Sequence, residues 1–407
     1  MAGVIEPSSI VITKLDLVHK EGTLNLLEQL TQFDIMETIK RPCIRAFADV
    51  NDATGILANV DIVGCDVELD FYSIDDSNPS SFKFKVSEVS NIVDLGRSKS
   101  YTLDMMSPEY FKAVSTQVTE IFAELEPEKM IQIIVDQNFG TDKKFSYEST
   151  KKTDTIPITS MNALQAIDKV RRRCVSKSNK SSSYLFFENQ DGFNFATIEE
   201  IYSKGKADIG DRVFTTIKFA RKEFVDTDWR NVIAYEQVRA SNLGETIAMG
   251  GMKNKYWAFN LETGEYTPYV FEKSADDANP EAFHLRKDLV NDYTPEDDTQ
   301  QAKNRFCVIR NEDDLQRVEK SSSLAGFLPK VLSNMINIHI HGDNLMTAGR
   351  VMKLEVVKSS GLSEPQKDEM LSGNYIVGSV RHIIQRNAGI LRYTNACELI
   401  RPGFVEG

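Results

Sequence analysis

Apolar side chains recur at every second position over long stretches of this chain. Near the start Ile10, Ile12 and Leu15 alternate with polar residues, the run 33–39 reads as a second strand, and Arg41-Pro42 introduces a third over 43–48. Phe82, Phe84 and Val86 alternate with Lys83, Lys85 and Ser87, and further strands are predicted over 92–95 and 101–105. A period of two marks a strand with one buried face. Apart from a turn at 52–57, no helix is predicted in this stretch. The same pattern closes the chain, in Ile336, Ile338 and Ile340, then Val351, Leu354 and Val356, then Tyr375, Val377 and Val380, then Leu391, Tyr393 and Leu399. His341-Gly342-Asp343-Asn344 and Ser372-Gly373-Asn374 separate these strands as turns. So many short strands protect their edges best by closing into small antiparallel barrels.

Between the strand-rich ends the period lengthens. Ser107-Pro108-Glu109 is a helix start signal, with a residue able to cap and a proline suited to the first turn. It leads into Tyr110, Phe111, Val114, Val118, Ile121 and Phe122, which predicts one helix from 107 to 122. After Pro127, residues 128–139 read as a second helix ending at Gly140. A third is predicted over 162–175, with Ala163, Leu164, Ile167, Val170 and Cys174 on one face. Two aromatic strands follow from Tyr184, joined at Asp191-Gly192. Polar strand-rich stretches at 213–225 and 254–271, the second a hairpin turning at Gly264, belong to a middle region that completes or decorates the second barrel. Residues 274–301 have the composition of a solvated acidic loop, and 313–333 read as a helix broken near Gly326 and Pro329.

The expected fold is therefore mainly β with an α+β insertion: two tube-like antiparallel β-barrel domains plus helical and hairpin connecting domains. The expected boundaries are a first barrel over 1–106, an α+β connecting domain over 107–205, a middle strand-rich region over 206–333, and the closing strands of a second barrel over 334–407. A chain of 407 residues is long enough for two to four such units.

Charge and cysteine content narrow the function. Forty-eight basic against 60 acidic residues give a net charge of −12, which speaks against a phosphate-binding surface. The cysteines at 43, 65, 174, 307 and 397 are odd in number and form no CxxC pair, so buried thiols are expected rather than a disulfide framework or a zinc ribbon. No stretch has the length and apolarity of a signal peptide or a membrane span, so no membrane insertion is expected.

Few residues suggest chemistry. His339 and His341 lie two apart on a strand and point the same way, and His382 on another strand could complete a metal ligand set; with no fourth ligand fixed by spacing, they are expected on polar faces or interfaces and no metal is expected. Cys174 follows Arg171, Arg172 and Arg173, which could activate a thiolate, yet it falls on the apolar helix face and is expected in the core. The Arg171–Arg173 run, with Lys177 and Lys180, is expected as a solvated helix end rather than a nucleic-acid site. Paired carboxylates such as Glu199-Glu200 and Asp313-Asp314 show no cleft geometry, and Gly250-Gly251 lacks a nucleotide-loop frame. No catalytic residue and no cofactor is expected.

The wording of two segments carries a resemblance. Gly342-Asp343 with Leu345, then Ala348-Gly349-Arg350-Val351, then 371–377 (LSGNYIV) and Val380-Arg381-His382-Ile383, resemble the closing barrel of phage baseplate hub subunits, the tube-domain family that includes the T-even-type hub protein. The stretch 186–195 (FFENQDGFNF), following the helix at 162–175, resembles the F-x-E-N-x-D-G-F-x-F strand pair of contractile-tail hubs. These segments cover about a quarter of the chain. The resemblance implies a structural virion protein in the tail baseplate, assembled in the bacterial host cytoplasm. It implies a homotrimer, because two similar barrels in each of three chains present a pseudo-sixfold ring to a hexameric tail tube while keeping threefold symmetry for a spike. Implied partners are the tail tube protein, a spike protein, baseplate wedge proteins, and the tape measure protein or DNA passing through the bore. Glycine-rich spike repeats like those fused to type VI VgrG hubs are lacking, so the spike is expected to be a separate chain. The alternatives are the hub of a tailocin or other bacterial contractile injection system and, from another class, a tail-associated cell-wall hydrolase.

Overall fold

The structure is a computed structural model and describes residues 8–73, 79–178, 181–207, 210, 212–216, 230–239, 253–272, 303–309, 335–357, 367–369 and 371–401. The predicted loop 274–301, the predicted helix 313–333, Gly250-Gly251 and Lys180 lie outside the described residues.

The N-terminal strands are β1 (Ile10–His19), β2 (Gly22–Asn25), β3 (Leu30–Thr38) and β4 (Arg45–Asp52), then a single helical turn α1 (Ile56–Asn59), then β5 (Asp66–Ser73), β6 (Ser80–Asp94) and β7 (Lys99–Met106). Asp52 sets the start of α1 by accepting the amides of Thr54, Gly55 and Leu57. Inward-facing residues of this sheet, among them Phe33, Ile35, Leu69, Phe71, Phe84 and Leu103, form one core. Each such side chain contributes about 1.5–3 kcal/mol by leaving water.

The central elements are α2 (Pro108–Ser115), β8 (Gln117–Phe122), α3 (Pro127–Asn138), β9 (Phe145–Tyr147), β10 (Ile156–Asn162), α4 (Ala163–Arg171), β11 (Tyr184–Asn189), β12 (Gly192–Thr197) and α5 (Ile198–Ala207). The predicted helix 107–122 stops at Ser115, and Gln117–Phe122 is instead strand β8, paired with β10. Thr116, Val118, Thr119 and Ile121 are β-branched, and Val118 and Phe122 reach the core from a strand, so the spacing that fits a helix fits an extended ribbon as well. Ser107 does not cap α2; its hydroxyl is turned to Glu188. The predicted helix 162–175 is shorter, ending at Arg171, and begins with a reciprocal capping box between Asn162 and Gln165. Helix α5 was not foreseen, although Thr197, with its hydroxyl accepting the Glu200 amide, is a start signal in plain view.

The remaining strands are β13 (Val213–Thr216), β14 (Asn231–Arg239), β15 (Lys253–Asn260), β16 (Tyr266–Glu272), β17 (Lys303–Ile309), β18 (Met335–His341), β19 (Val351–Glu355), β20 (Gly373–Asn387) and β21 (Ile390–Ile400). The predicted hairpin at 254–271 is β15–β16, turning at Gly264, and β17 adds to it in parallel. This makes a separate three-stranded sheet.

One thirteen-stranded sheet contains both barrels. The ring β19-β13-β14-β18-β21-β20 closes on itself through the β19–β20 pairing and encloses Ile336, Ile338, Ile340, Leu354, Tyr375, Val377 and Leu399. It is not wholly antiparallel, because β13 runs parallel to both of its neighbours. The other barrel runs β1-β5-β6-β7-β4-β3-β20-β21 and is closed by a bridge between Ser9 and Arg392, with the Tyr393 amide donating to the Ser8 carbonyl at 2.8 Å. The β20–β21 hairpin, 15 and 11 residues long, is thus common to both. Ile384 and Tyr393 at one end fill the first core, and Val377, Val380, Cys397 and Leu399 at the other fill the second.

Candidate functional site: the hairpin wedge between two fused barrels

The turn joining β11 and β12, Glu188-Asn189-Gln190-Asp191-Gly192, is tied on both sides. Its residues reach both barrels. Glu188, fully buried, accepts the Ile44 amide at 3.2 Å and the Ser107 hydroxyl at 2.6 Å, both at the rim of the first barrel. Gln190 donates to the Ser80 hydroxyl at 2.9 Å at the start of β6. On the other side, the Asn189 amide donates to the Ala348 carbonyl at 2.8 Å, and Asp191 meets Arg350 at 3.1 Å, both from the loop between β18 and β19. Phe187 packs with Ile39, Ala348, Val351, Ile376 and Ile400 in an apolar cluster that also takes Ile198, Ile201 and Tyr202 from α5.

Two glycines make this approach possible. Gly349, at φ +86°, lies so close to Phe187 that a Cβ would sit 2.8 Å from its ring. Gly192 holds the hairpin turn at φ +122°, and a Cβ there would sit 2.3 Å from the Lys144 carbonyl oxygen.

Four buried carboxylates tie the wedge and its surroundings by one device, a hydroxyl and a backbone amide aimed at the same side chain. Glu188 takes Ser107 and the Ile44 amide, and Glu148 takes the hydroxyl and amide of Thr197 at 2.7 and 2.8 Å. Glu128 takes the hydroxyl and amide of Thr150, and Glu37 takes the Thr347 hydroxyl and the Ala348 amide. A polar group taken out of water needs such donors, or its burial is costly. Glu188 also has Lys143 at 2.6 Å, and Lys143 in turn meets Glu109 at 3.0 Å. Burial pushes the Glu188 carboxyl above the usual range and Lys143 pulls it back, while the two carboxylates hold Lys143 protonated.

Behind the wedge, a polar line crosses the shared hairpin. His382 is buried, its Nδ1 2.7 Å from the Tyr393 hydroxyl and 3.1 Å from Asn395 Nδ2. Asn395 also accepts the Asp343 amide and donates to the Asp343 carbonyl. The ring of Tyr393 packs edge-on against Phe71 at 5.4 Å in the first barrel, so one side chain joins that core to the polar line. Burial lowers His382 to about 4 and raises Glu37 to about 7.

The three histidines considered as metal ligands do not come together. His382 shares the inward parity of Val380 and Ile384, whereas His339 and His341 alternate with the inward Ile338 and Ile340 and lie on the opposite face of the sheet. His341 pairs with the Ser8 hydroxyl at 2.8 Å. Among the described residues no three His, Cys, Asp or Glu side chains are grouped to hold a metal. Cys174 is buried in the core of the central unit, its thiol facing the Val170 carbonyl and pushed well above its ordinary pKa by burial. Arg171 and Arg172 both pair with Asp168, and Glu199 and Glu200 lie in the first turn of α5, where Glu200 pairs with Lys204. Sequence reading missed Glu37 and Asn395. The signal was available: each is a polar residue at an inward position of an otherwise apolar alternation.

Solved structures share this architecture. A tail protein from Neisseria meningitidis superposes with a TM-score of 0.57 at 9% identity, covering 97% of this chain and 98% of that one. The 43 kDa tail protein of prophage MuSo2 from Shewanella oneidensis also gives 0.57, at 10% identity over 96% and 98%. The chain has the fold of these tail proteins. A chain of the Francisella PdpA–VgrG complex gives 0.52 at 11% identity, covering 98% of this chain and 60% of that one. No protein-family model matches the sequence, and no curated protein matches it. Among the described residues no helix is long and apolar enough to cross a membrane.

Proposed function

We propose that this chain is a structural virion protein, the central hub subunit of a phage tail baseplate, working as a homotrimer between a hexameric tail tube and a separate spike. The observation that carries the reading is the fusion of two barrels on one hairpin, braced by a wedge. A rigid pair of barrels in each of three chains offers six barrel units to a sixfold partner and three equivalent surfaces to a threefold one. The proposed segments 1–106, 107–205, 206–333 and 334–407 are not separate bodies: the last lends β20 and β21 to the barrel of the first, and the third lends β13 and β14 to the barrel of the last. Its role is geometric, with no catalytic step, and the bore enclosed by three copies forms part of the ejection channel for DNA or the tape measure protein, since the interior of each barrel is filled by side chains. Wedge proteins are further partners. A tailocin hub has the same physical requirements and is covered by the same reading. Electron microscopy of the purified chain tests it: threefold particles with six barrel-sized lobes around a bore are expected, and compact particles without a bore would contradict it.

A further inference from the structure

Two buried atoms in the seam, neither in a close hydrogen bond, face each other: Oε1 of Glu37 on β3 and Nε2 of His382 on β20, 4.0 Å apart, with the Gln190 backbone amide of the wedge also turned to the Glu37 carboxyl. Every other polar atom of the two side chains is engaged. Oε2 of Glu37 accepts the Thr347 hydroxyl and the Ala348 amide, and Nδ1 of His382 meets Tyr393 and Asn395. Asn395 decides the imidazole tautomer. Its Oδ1 is fixed by accepting the Asp343 amide at 2.9 Å, so its Nδ2 faces His382 and Nδ1 must accept. The ring proton then sits on Nε2, aimed at Glu37. Closing the gap by about 1 Å makes this a normal hydrogen bond.

We propose that Glu37 and His382 form a two-state proton relay that links the protonation of β3 to the loop between β18 and β19. With Glu37 ionised, His382 carries its proton on Nε2 and donates to Oε1, and both Tyr393 and Asn395 donate to Nδ1. When the pair gains one proton, the Nε2 proton passes to Oε1 of Glu37 while Nδ1 takes the hydroxyl proton of Tyr393, which is replaced from solvent; the new O–H then donates to Nε2 and the ring carries its proton on Nδ1. Nδ1–H then donates to the Tyr393 oxygen, and Asn395 Nδ2 loses its acceptor at the ring while keeping the Asp343 carbonyl. The imidazole is neutral in both states, and one proton is gained overall. The effect is delivered to Asn395, whose side chain holds Asp343 at the base of the loop that carries Thr347, Ala348 and Arg350 to the wedge.

The charged and titratable groups around the pair are Asp191 from the wedge, itself paired with Arg350, Asp343 from the loop, and Tyr393 and Cys397 from β21. Burial holds the Tyr393 hydroxyl and the Cys397 thiol protonated, which leaves Glu37 as the group that titrates near neutrality, at about 7.

The test is nitrogen NMR of the full chain with labelled histidine, read at about pH 6 and about pH 8, one unit either side of that value. The Nε2–H tautomer of His382 is expected at the higher pH and the Nδ1–H tautomer at the lower, with the ring neutral throughout. In Glu37→Gln the amide stands in for the protonated acid, so the Nδ1–H tautomer is expected at both. A His382 tautomer that does not change with pH in the wild type overturns the relay, as does a Glu37→Gln protein that keeps Nε2–H. If that variant fails to fold, the wild-type titration alone decides.

Discussion

Glu188→Ala is the substitution that most directly probes how the wedge holds the first barrel. The carboxylate is fully buried and gathers the Ile44 amide, the Ser107 hydroxyl and the Lys143 ammonium. Removing it orphans the first two, at about 1–3 kcal/mol for each buried group left unpaired. Lys143 is affected less, since it keeps Glu109 at 3.0 Å and its side chain is 36% exposed. Breaking a buried pair typically costs about 3–5 kcal/mol, and with Lys143 still partnered the lower end applies, about 3 kcal/mol. Glu188→Gln keeps an acceptor for Ile44 and Ser107 and loses only the charge, so about half that loss is expected. A chain of this size unfolds in more than one step, so the quantity to follow is the first transition in urea, by circular dichroism together with hydrogen exchange of the amides of the barrel and the central unit. The alanine variant should move that transition to lower urea and separate the signals of the barrel and the central unit. If its first transition lies within about 1 kcal/mol of the wild type, Glu188 is not a tie between the units and the reasoning is wrong.

Three further outcomes are expected. Gly192→Ala forces a Cβ to within 2.3 Å of the Lys144 carbonyl oxygen at φ +122°, so the wedge turn should lose at least about 2 kcal/mol, seen as faster proteolysis near residue 190; unchanged cleavage contradicts the turn geometry. In the wild type, Glu37 and His382 oppose each other in pH dependence. Glu37, raised to about 7, lends stability that is complete below about 4.5 and lost as pH rises through 7, whereas His382, lowered to about 4, lends stability that is complete above about 6.5 and lost as pH falls through 4. Glu37→Gln leaves the histidine slope alone, so its stability should fall by about 3 kcal/mol as pH drops from 6.5 toward 4, and a flat profile over that range would count against the burial of His382. Cys174 and Cys397, buried and held as thiols, should resist a thiol reagent in the folded protein and react only on unfolding; rapid labelling at either position contradicts the core assignments.

How much of this was legible in the sequence depended on whether a residue's role is local. Most strands of both ends, the hairpin at Asp191-Gly192 and helix α3 follow from side-chain period and turn chemistry within a few residues, although the strands predicted at 82–86 and 92–95 are one, β6, whose far end is exposed. β8 was misread because two apolar residues four apart suit either a helix turn or every second strand pair, and only pairing with β10 decides. That β20 and β21 serve two barrels could not be read, because alternation specifies which face is buried but not which core it faces. His382 looked like a ligand for the same reason, since its partners Glu37 and Asn395 come from strands that only the fold brings together. Glu188 and Asn189 were visible as wording within the aromatic strand pair, and the structure gives that wording its cause: they bind two barrels at once.

The most direct test of the hub reading is the solution mass of the 45.9 kDa chain by light scattering, alone and mixed with a candidate spike protein. The reading predicts about three protomers per particle, or a three-to-three complex with the spike. A chain that stays monomeric in both conditions would contradict it.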